Sequence, residues 1–236
     1  MSGYVQLPGD NAVYPSTPNA APVNLSGSFD IRFYGALDNW TDGYPYLIEK
    51  CHPSVIQGYS LKPSQAGNGK MRLLLGDDAA NFASSSVAHG IANGADQWMR
   101  ATFDISTGDV KFYLGGADPT PSWVQNGTTQ NIAGVPSITN YAQPLEIMRD
   151  IGAADCSGGK VYRVVIYSDL TETTKVFDAD FTDLTPAEIA AKAFTEDSAN
   201  AATVTLNGTG WSYVTDPSGS FNQSIAGPGQ LLRTGG

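Results

Sequence analysis

The stretch DQWMRATFDISTGDVKFYLGG, residues 96–116, decides the fold. Two runs in it alternate apolar and polar side chains with a period of two, the pattern of strands with one buried face. In the first run Met99, Ala101, Phe103 and Ile105 share the inward face, leaving Arg100, Thr102 and Asp104 outside. In the second, Val110, Phe112 and Leu114 point inward. Ser106-Thr107-Gly108-Asp109 between them predicts a tight turn with Gly108 at positive φ, so the segment reads as an antiparallel hairpin. Trp98 at its entrance reads as a framework residue with a burial role.

The same period recurs along the chain. Phe29, Ile31 and Phe33 share one face of SFDIRFYGAL, with Asp30, Arg32 and Tyr34 on the other, and GKMRLLLG groups Met71, Leu73 and Leu75. PLEIMRDIG, KVYRVVIYS, TKVFDADF and ATVTLNGTGWSYV continue the series. One segment departs from it. In DLTPAEIAAKAF, Thr185 is an N-cap, Pro186 fits the first helical position and Glu188 completes a capping box, predicting a short helix near residues 186–193. So many strands in a single open sheet would leave an apolar face uncovered, so the prediction is all-β: a two-sheet antiparallel sandwich over residues 1–215. Residues 216–236 lose the alternation and become rich in Gly, Pro and Ser. They read as a C-terminal arm held by a neighbouring chain, with Phe221, Leu231, Leu232 and Arg233 as its contacts.

Composition narrows the partners. The 236 residues carry 23 acidic and 13 basic side chains, a formal charge of −10, which removes a broad electrostatic reason to expect nucleic acid or an anionic membrane. The N-terminus has neither the basic nor the apolar region of a secretory signal, and no apolar run is long enough to span a bilayer. Cys51 and Cys156 offer no disulfide framework and read as free, buried thiols. Sequons, among them those at Asn24, Asn39, Asn126 and Asn207, follow from an Asn/Ser/Thr-rich composition.

Three separated stretches resemble the laminin-G-like, concanavalin A-like jelly rolls in the order that family shows. They are YVQLPGDNAVYPSTPNAAPVNLSGSFDIRFYGAL, the hairpin above, and PLEIMRDIGAADCSGGKVYRVVIYS, and the resemblance covers residues 4–214. VYRVVIYSDLTETTKVFDADFTD and ATVTLNGTGWSYV are further similar to the version found in structural proteins of tailed bacteriophages. That resemblance implies a concanavalin A-like jelly roll in a head-decorating or minor tail protein. It would be present in many copies on the virion, with major capsid or tail proteins as partners.

The residues carry little catalytic chemistry. The E-x-D-x-E strand of the fold's retaining glucanases is missing, and Asp178/Asp180 and Glu146/Asp150 read as acidic strand faces. His52 and His89 are the only histidines, and Cys51 beside His52 forms no triad by adjacency. No phosphate-binding glycine loop occurs. No cofactor is expected except calcium, which the resemblance allows at rim aspartates. Asp77 and Asp78 are the candidate ligands, with Asp38 and Asp42 nearby around Trp40, whereas Gly115-Gly116 replaces the family's Asp-Gly at the hairpin exit. Saccharide binding needs exposed rings beside amides. Trp40, Tyr44 and Tyr46 with Asn39 and Asp42 form one candidate group, and Trp123 with Gln125 and Asn126 a second. The expectation is a non-enzymatic virion structural protein that also adheres to host glycans; the alternative is a lectin-like module of a secreted or cell-surface protein.

Overall fold

The computed structural model describes residues 3–10, 12–41, 46–51, 58–64, 67–75, 81–117, 120–132, 134, 138, 140, 142–150, 155–215, 223–225 and 231–233. Two antiparallel sheets face each other. The larger has nine strands, running in the order Trp123–Gln125, Asp109–Gly115, Gln97–Asp104, Phe29–Leu37, Gly158–Tyr167, Gly3–Pro8 and Ser212–Thr215. Gln130–Asn131 pairs with the second of these and Lys175–Asp180 with the fifth. The other sheet has eight strands, in the order Ala193–Thr195, Thr203–Leu206, Pro15–Thr17, Leu145–Ile147, Ile48–Cys51, Gly58–Lys62, Arg72–Leu75 and Phe82–Ser84. The chain is thus the all-β two-sheet sandwich that the alternation predicts, with the jelly-roll fold that the resemblance implies.

The hairpin of residues 97–115 forms as read, with Asp104 opposite Asp109 and Gly108 at φ 75°. Asp104 fixes the turn by accepting from the Ser106 N–H at 2.9 Å and its hydroxyl at 2.6 Å. Phe29, Phe33, Phe103, Phe112 and Phe177 from the larger sheet meet Leu61, Leu73 and Ile147 from the smaller, and all are buried. Ile105 and Leu114, expected inside, are partly buried against this core. The helix spans Pro186–Ala191 and carries the predicted capping box from Thr185 and Glu188. Cys156 is a free thiol, half-buried rather than fully buried, and burial pushes its pKa up to about 11. Among residues 216–236, Gln223–Ile225 and Leu231–Arg233 pair as a two-stranded antiparallel ribbon. Phe221 and most of the predicted arm lie outside the described residues.

The strand Gly158–Tyr167 changes partners along one edge. Its first half pairs with Gly3–Pro8 and its second half with Lys175–Asp180, while Phe29–Leu37 lines its other edge throughout. A register shift between Val161 and Arg163 marks a β-bulge opposite Gly35 and Tyr34. Bulges re-aim side chains. Tyr162 here joins Tyr34, Trp98 and Val165 on the face away from the core. That face departs from expectation, since Asp30 (0% exposed), Tyr34 (3%) and Arg32 (9%) were placed there as the polar side of the strand. They are covered because the segment after Gly115 and the turn after Tyr167 fold over the sheet: Tyr34 donates to the Ala117 carbonyl at 3.2 Å, and Glu172 reaches Arg32.

Candidate functional site

The outer face of the nine-stranded sheet carries an aromatic row and a charged row. Trp123 lies opposite Gly115, Gly115 opposite Trp98, Trp98 opposite Tyr34, and Tyr34 opposite Arg163. Tyr34 and Trp98 stack with centroids 4.9 Å apart, and Trp123 meets Trp98 edge-on at 6.0 Å. Gly115 makes this possible, because a Cβ there would lie 2.6 Å from Pro121 and 3.2 Å from the Trp123 ring. The glycine at this position thus has a packing reason: the bare position seats Pro121 and Trp123.

In the next row Arg100 lies directly opposite Arg32, and Arg32 opposite Val165. Like charges in register repel. Asp30 and Glu172 resolve the conflict. Asp30 Oδ2 lies 2.6 Å from Arg32 Nη2 and 2.7 Å from Arg100 Nη2, and Glu172 Oε1 bridges the same two nitrogens at 2.7 and 2.9 Å. The Trp123 ring lies 5.4 Å from the Arg32 guanidinium and 5.3 Å from that of Arg100, and Tyr167 lies 4.7 Å from Arg32. Beside this group the fully buried Asp178 accepts two 2.8 Å bonds from Arg163 and a third from Lys175. Between these clusters opens a cleft of about 400 Å3, lined on one side by Trp98, Pro121 and Trp123 and on the other by Arg163, Glu172 and Lys175. Arg32, Val165 and Tyr167 also line it.

The electrostatics follow from these contacts. The bond from Arg32 pulls Glu172 below the usual carboxylate range, against a smaller burial penalty. Burial alone would raise Asp178, but Arg163 and Lys175 hold it below its ordinary value. Burial also works against the Arg32 charge, yet its bonds to Asp30 and Glu172 raise its pKa. Glu172 and Asp178 therefore bind protons more weakly folded than unfolded, so they contribute stability that is present above about pH 4.5 and is lost as pH falls through their folded values. Glu146 and Asp197, raised chiefly by burial, act in the opposite sense. The thermal midpoint is expected to fall on acidification below about pH 4, and to fall less in the double variant Glu172→Gln, Asp178→Asn. Melts across this range check it.

Among the described residues, those singled out in the sequence do not form one site. Trp123 lines the cleft. Trp40 is fully buried, with its N–H groups bonded to Asn93 Oδ1 at 2.9 Å and to the Ala95 carbonyl at 3.1 Å, so its ring offers no stacking surface. Its Ala variant is expected to lose about 3–5 kcal/mol of stability, measured by denaturant unfolding. Tyr46 packs on Lys62 of the smaller sheet, with the ammonium 3.7 Å from its ring centre. Asn126 is buried and donates to the Val87 carbonyl at 3.3 Å, a packing role instead of a ligand contact. Asn39 is occupied by Thr41, and Gln125 is exposed. Tyr44, Asp42, Asp77, Asp78 and His52 lie outside the described residues. Among the described residues no three His, Cys, Asp or Glu side chains gather as metal ligands. His89 is a core residue: Nδ1 accepts from the Ile91 N–H at 3.0 Å, which leaves Nε2 to donate to the Trp40 carbonyl at 3.2 Å.

Glu146, on the smaller sheet, is buried, paired with Arg149 at 2.9 and 3.0 Å and opposite Glu49 in register. The sequence reading missed Arg32, Arg163, Tyr167, Glu172 and Lys175. The available signal was FDIRFY followed by WMRATF, which places an arginine at the same depth on the outer face of two pairing strands.

No protein-family model and no curated protein matches the chain. Solved structures match it in fold. A candidate carbohydrate binding protein from Bacteroides ovatus superposes with a TM-score of 0.60 at 11% identity, over 91% of this chain and 59% of that one. The chain thus spans less than two thirds of that protein's length. The CBM40 of the Ruminococcus gnavus IT-sialidase, bound to α2,3-sialyllactose, superposes at 0.50 with 10% identity, over 70% of this chain and 89% of that one. At these identities the likeness concerns the fold, a jelly-roll β-sandwich.

Proposed function

We propose that the chain is a non-enzymatic saccharide-binding jelly roll whose ligand lies in the cleft beside Trp123. The observation that carries this reading is the pairing, in one open concavity, of ring surfaces from the half-buried Trp123 and Tyr167, backed by the buried Trp98, with donors from the partly exposed Arg163 and Lys175. Pyranose rings present apolar C–H faces and a fringe of hydroxyls, which such a mixed lining complements. At the cleft, the carboxylate of Glu172 and those of Asp30 and Asp178 beneath it are engaged by cations, which favours binding over hydrolysis. The sugar ligand of the Ruminococcus gnavus module on a related fold supports the same class. A glycan array, run with and without calcium, tests the reading: retention of at least one saccharide class is expected, and no retention in either condition would overturn it.

The resemblance to tailed-phage structural proteins supports a second reading compatible with the first. The module then sits on a virion, as head decoration or minor tail protein, in many copies, and grips host-surface glycans. Removing the residues after Asp216 should abolish incorporation into particles while leaving the melt of the sandwich unchanged. Normal incorporation of the shortened chain would remove the arm from this account.

A further inference from the structure

Resting on the saccharide-binding reading, we infer that the cleft selects carboxylated saccharides and that Glu172 is an internal stand-in for the ligand's carboxylate. The two opposed guanidiniums of Arg32 and Arg100 form a seat with two anion positions, one below and one above. Asp30, fully buried, fills the lower position permanently. Glu172 fills the upper one from outside the sheet. Its side chain is 40% exposed, it sits on the turn between the strands ending at Tyr167 and beginning at Lys175, and its backbone adopts φ 61°. A non-glycine residue in that region is strained, and such strain gathers at ligand clamps and switches. The turn itself is held by Asp169, which accepts from Thr171, Thr173 and Thr174, so its shape does not depend on the Glu172 carboxylate. What ties Glu172 down is its pair of bonds to the arginines, and those are what an incoming carboxylate reproduces.

Charge favours the same ligand. Arg32, Arg163 and Lys175 line the cleft, and among the described residues Glu172 is the one acidic side chain that lines it. Asp30 and Asp178 balance the cations from beneath, fully buried. Displacing Glu172 therefore opens a cationic pocket in a chain of formal charge −10. A planar carboxylate suits the guanidinium pair through bidentate bonds, while the sugar ring behind it meets Trp123. A neutral sugar leaves Glu172 in place and meets the aromatic wall and the donors of Arg163 and Lys175 without the arginine seat.

The test uses the full chain, with trigalacturonate and a hyaluronan tetrasaccharide as probes, each against its own methyl ester, titrated by calorimetry into the parent, Glu172→Gln and Glu172→Ala. Each acid is expected to bind more tightly than its ester. Both substitutions should tighten the acid by about tenfold, the loss of one competing charge-assisted contact, and leave the ester within about twofold. Glu172→Gln keeps the side-chain volume, and an unchanged near-ultraviolet spectrum in both variants shows that the fold persists. If acid and ester bind equally in all three proteins, the carboxylate inference fails and the saccharide reading stands. If neither acid nor ester binds any of the three, the carboxylate inference is overturned; a glycan array that is also blank removes the saccharide reading too.

Discussion

Asp30→Ala is expected to cost about 3–5 kcal/mol of folding stability, because it leaves buried charge without its partner. Its carboxylate is fully buried and lies between the guanidiniums of Arg32 and Arg100, whose side chains are each 11% exposed. Without it, two arginines stay in register on neighbouring strands, with only Glu172 between them. The loss corresponds to about 6–20 °C in the thermal midpoint for a domain of this size. Denaturant unfolding of the variant measures it, and a loss below about 1 kcal/mol would mean that the charged layer is hydrated and weak.

Trp123→Ala is expected to reduce saccharide affinity about thirtyfold or more, the size of a binding hot spot. Its effect on stability should stay near 2 kcal/mol or below, since the ring is half-buried on a three-residue edge strand and touches the outer-face cluster only at its rim, beside its two cation–π pairs. Together with the Trp40 variant this separates two roles that sequence alone assigned alike. Loss of stability marks the core tryptophan and loss of binding the cleft tryptophan. A Trp123 variant that binds normally would move the site elsewhere on the sheet.

Most of the fold was readable because burial on one face imposes a period of two on the sequence. Phe29, Ile31 and Phe33, Met99, Ala101 and Phe103, and Val110 and Phe112 all lie inward as the alternation requires. The helix start was readable from Thr185 and Glu188 because a capping box is a local signal. The site was not readable in the same way. Whether an outer-face residue meets water or a covering loop depends on segments far away in sequence, and alternation carries no information about them. Asp30 and Arg32 look like solvated strand residues until Glu172 arrives from a turn 140 residues later. The Asp38–Tyr46 loop misled for a related reason. Closeness in sequence did not bring its described rings together in one site: Trp40 turns inward to satisfy its indole N–H on Ala95, while Tyr46 packs on Lys62.

The central claim, that the outer face of the nine-stranded sheet holds the ligand, is tested most directly by the four tryptophan indole N–H signals of the 15N-labelled protein. They report from separate places: Trp40 and Trp211 in the core, Trp98 and Trp123 at the cleft. On addition of an oligosaccharide retained on the array, the Trp98 and Trp123 signals should shift in a saturable way while those of Trp40 and Trp211 stay fixed. Saturable binding that moves neither Trp98 nor Trp123 would contradict the claim.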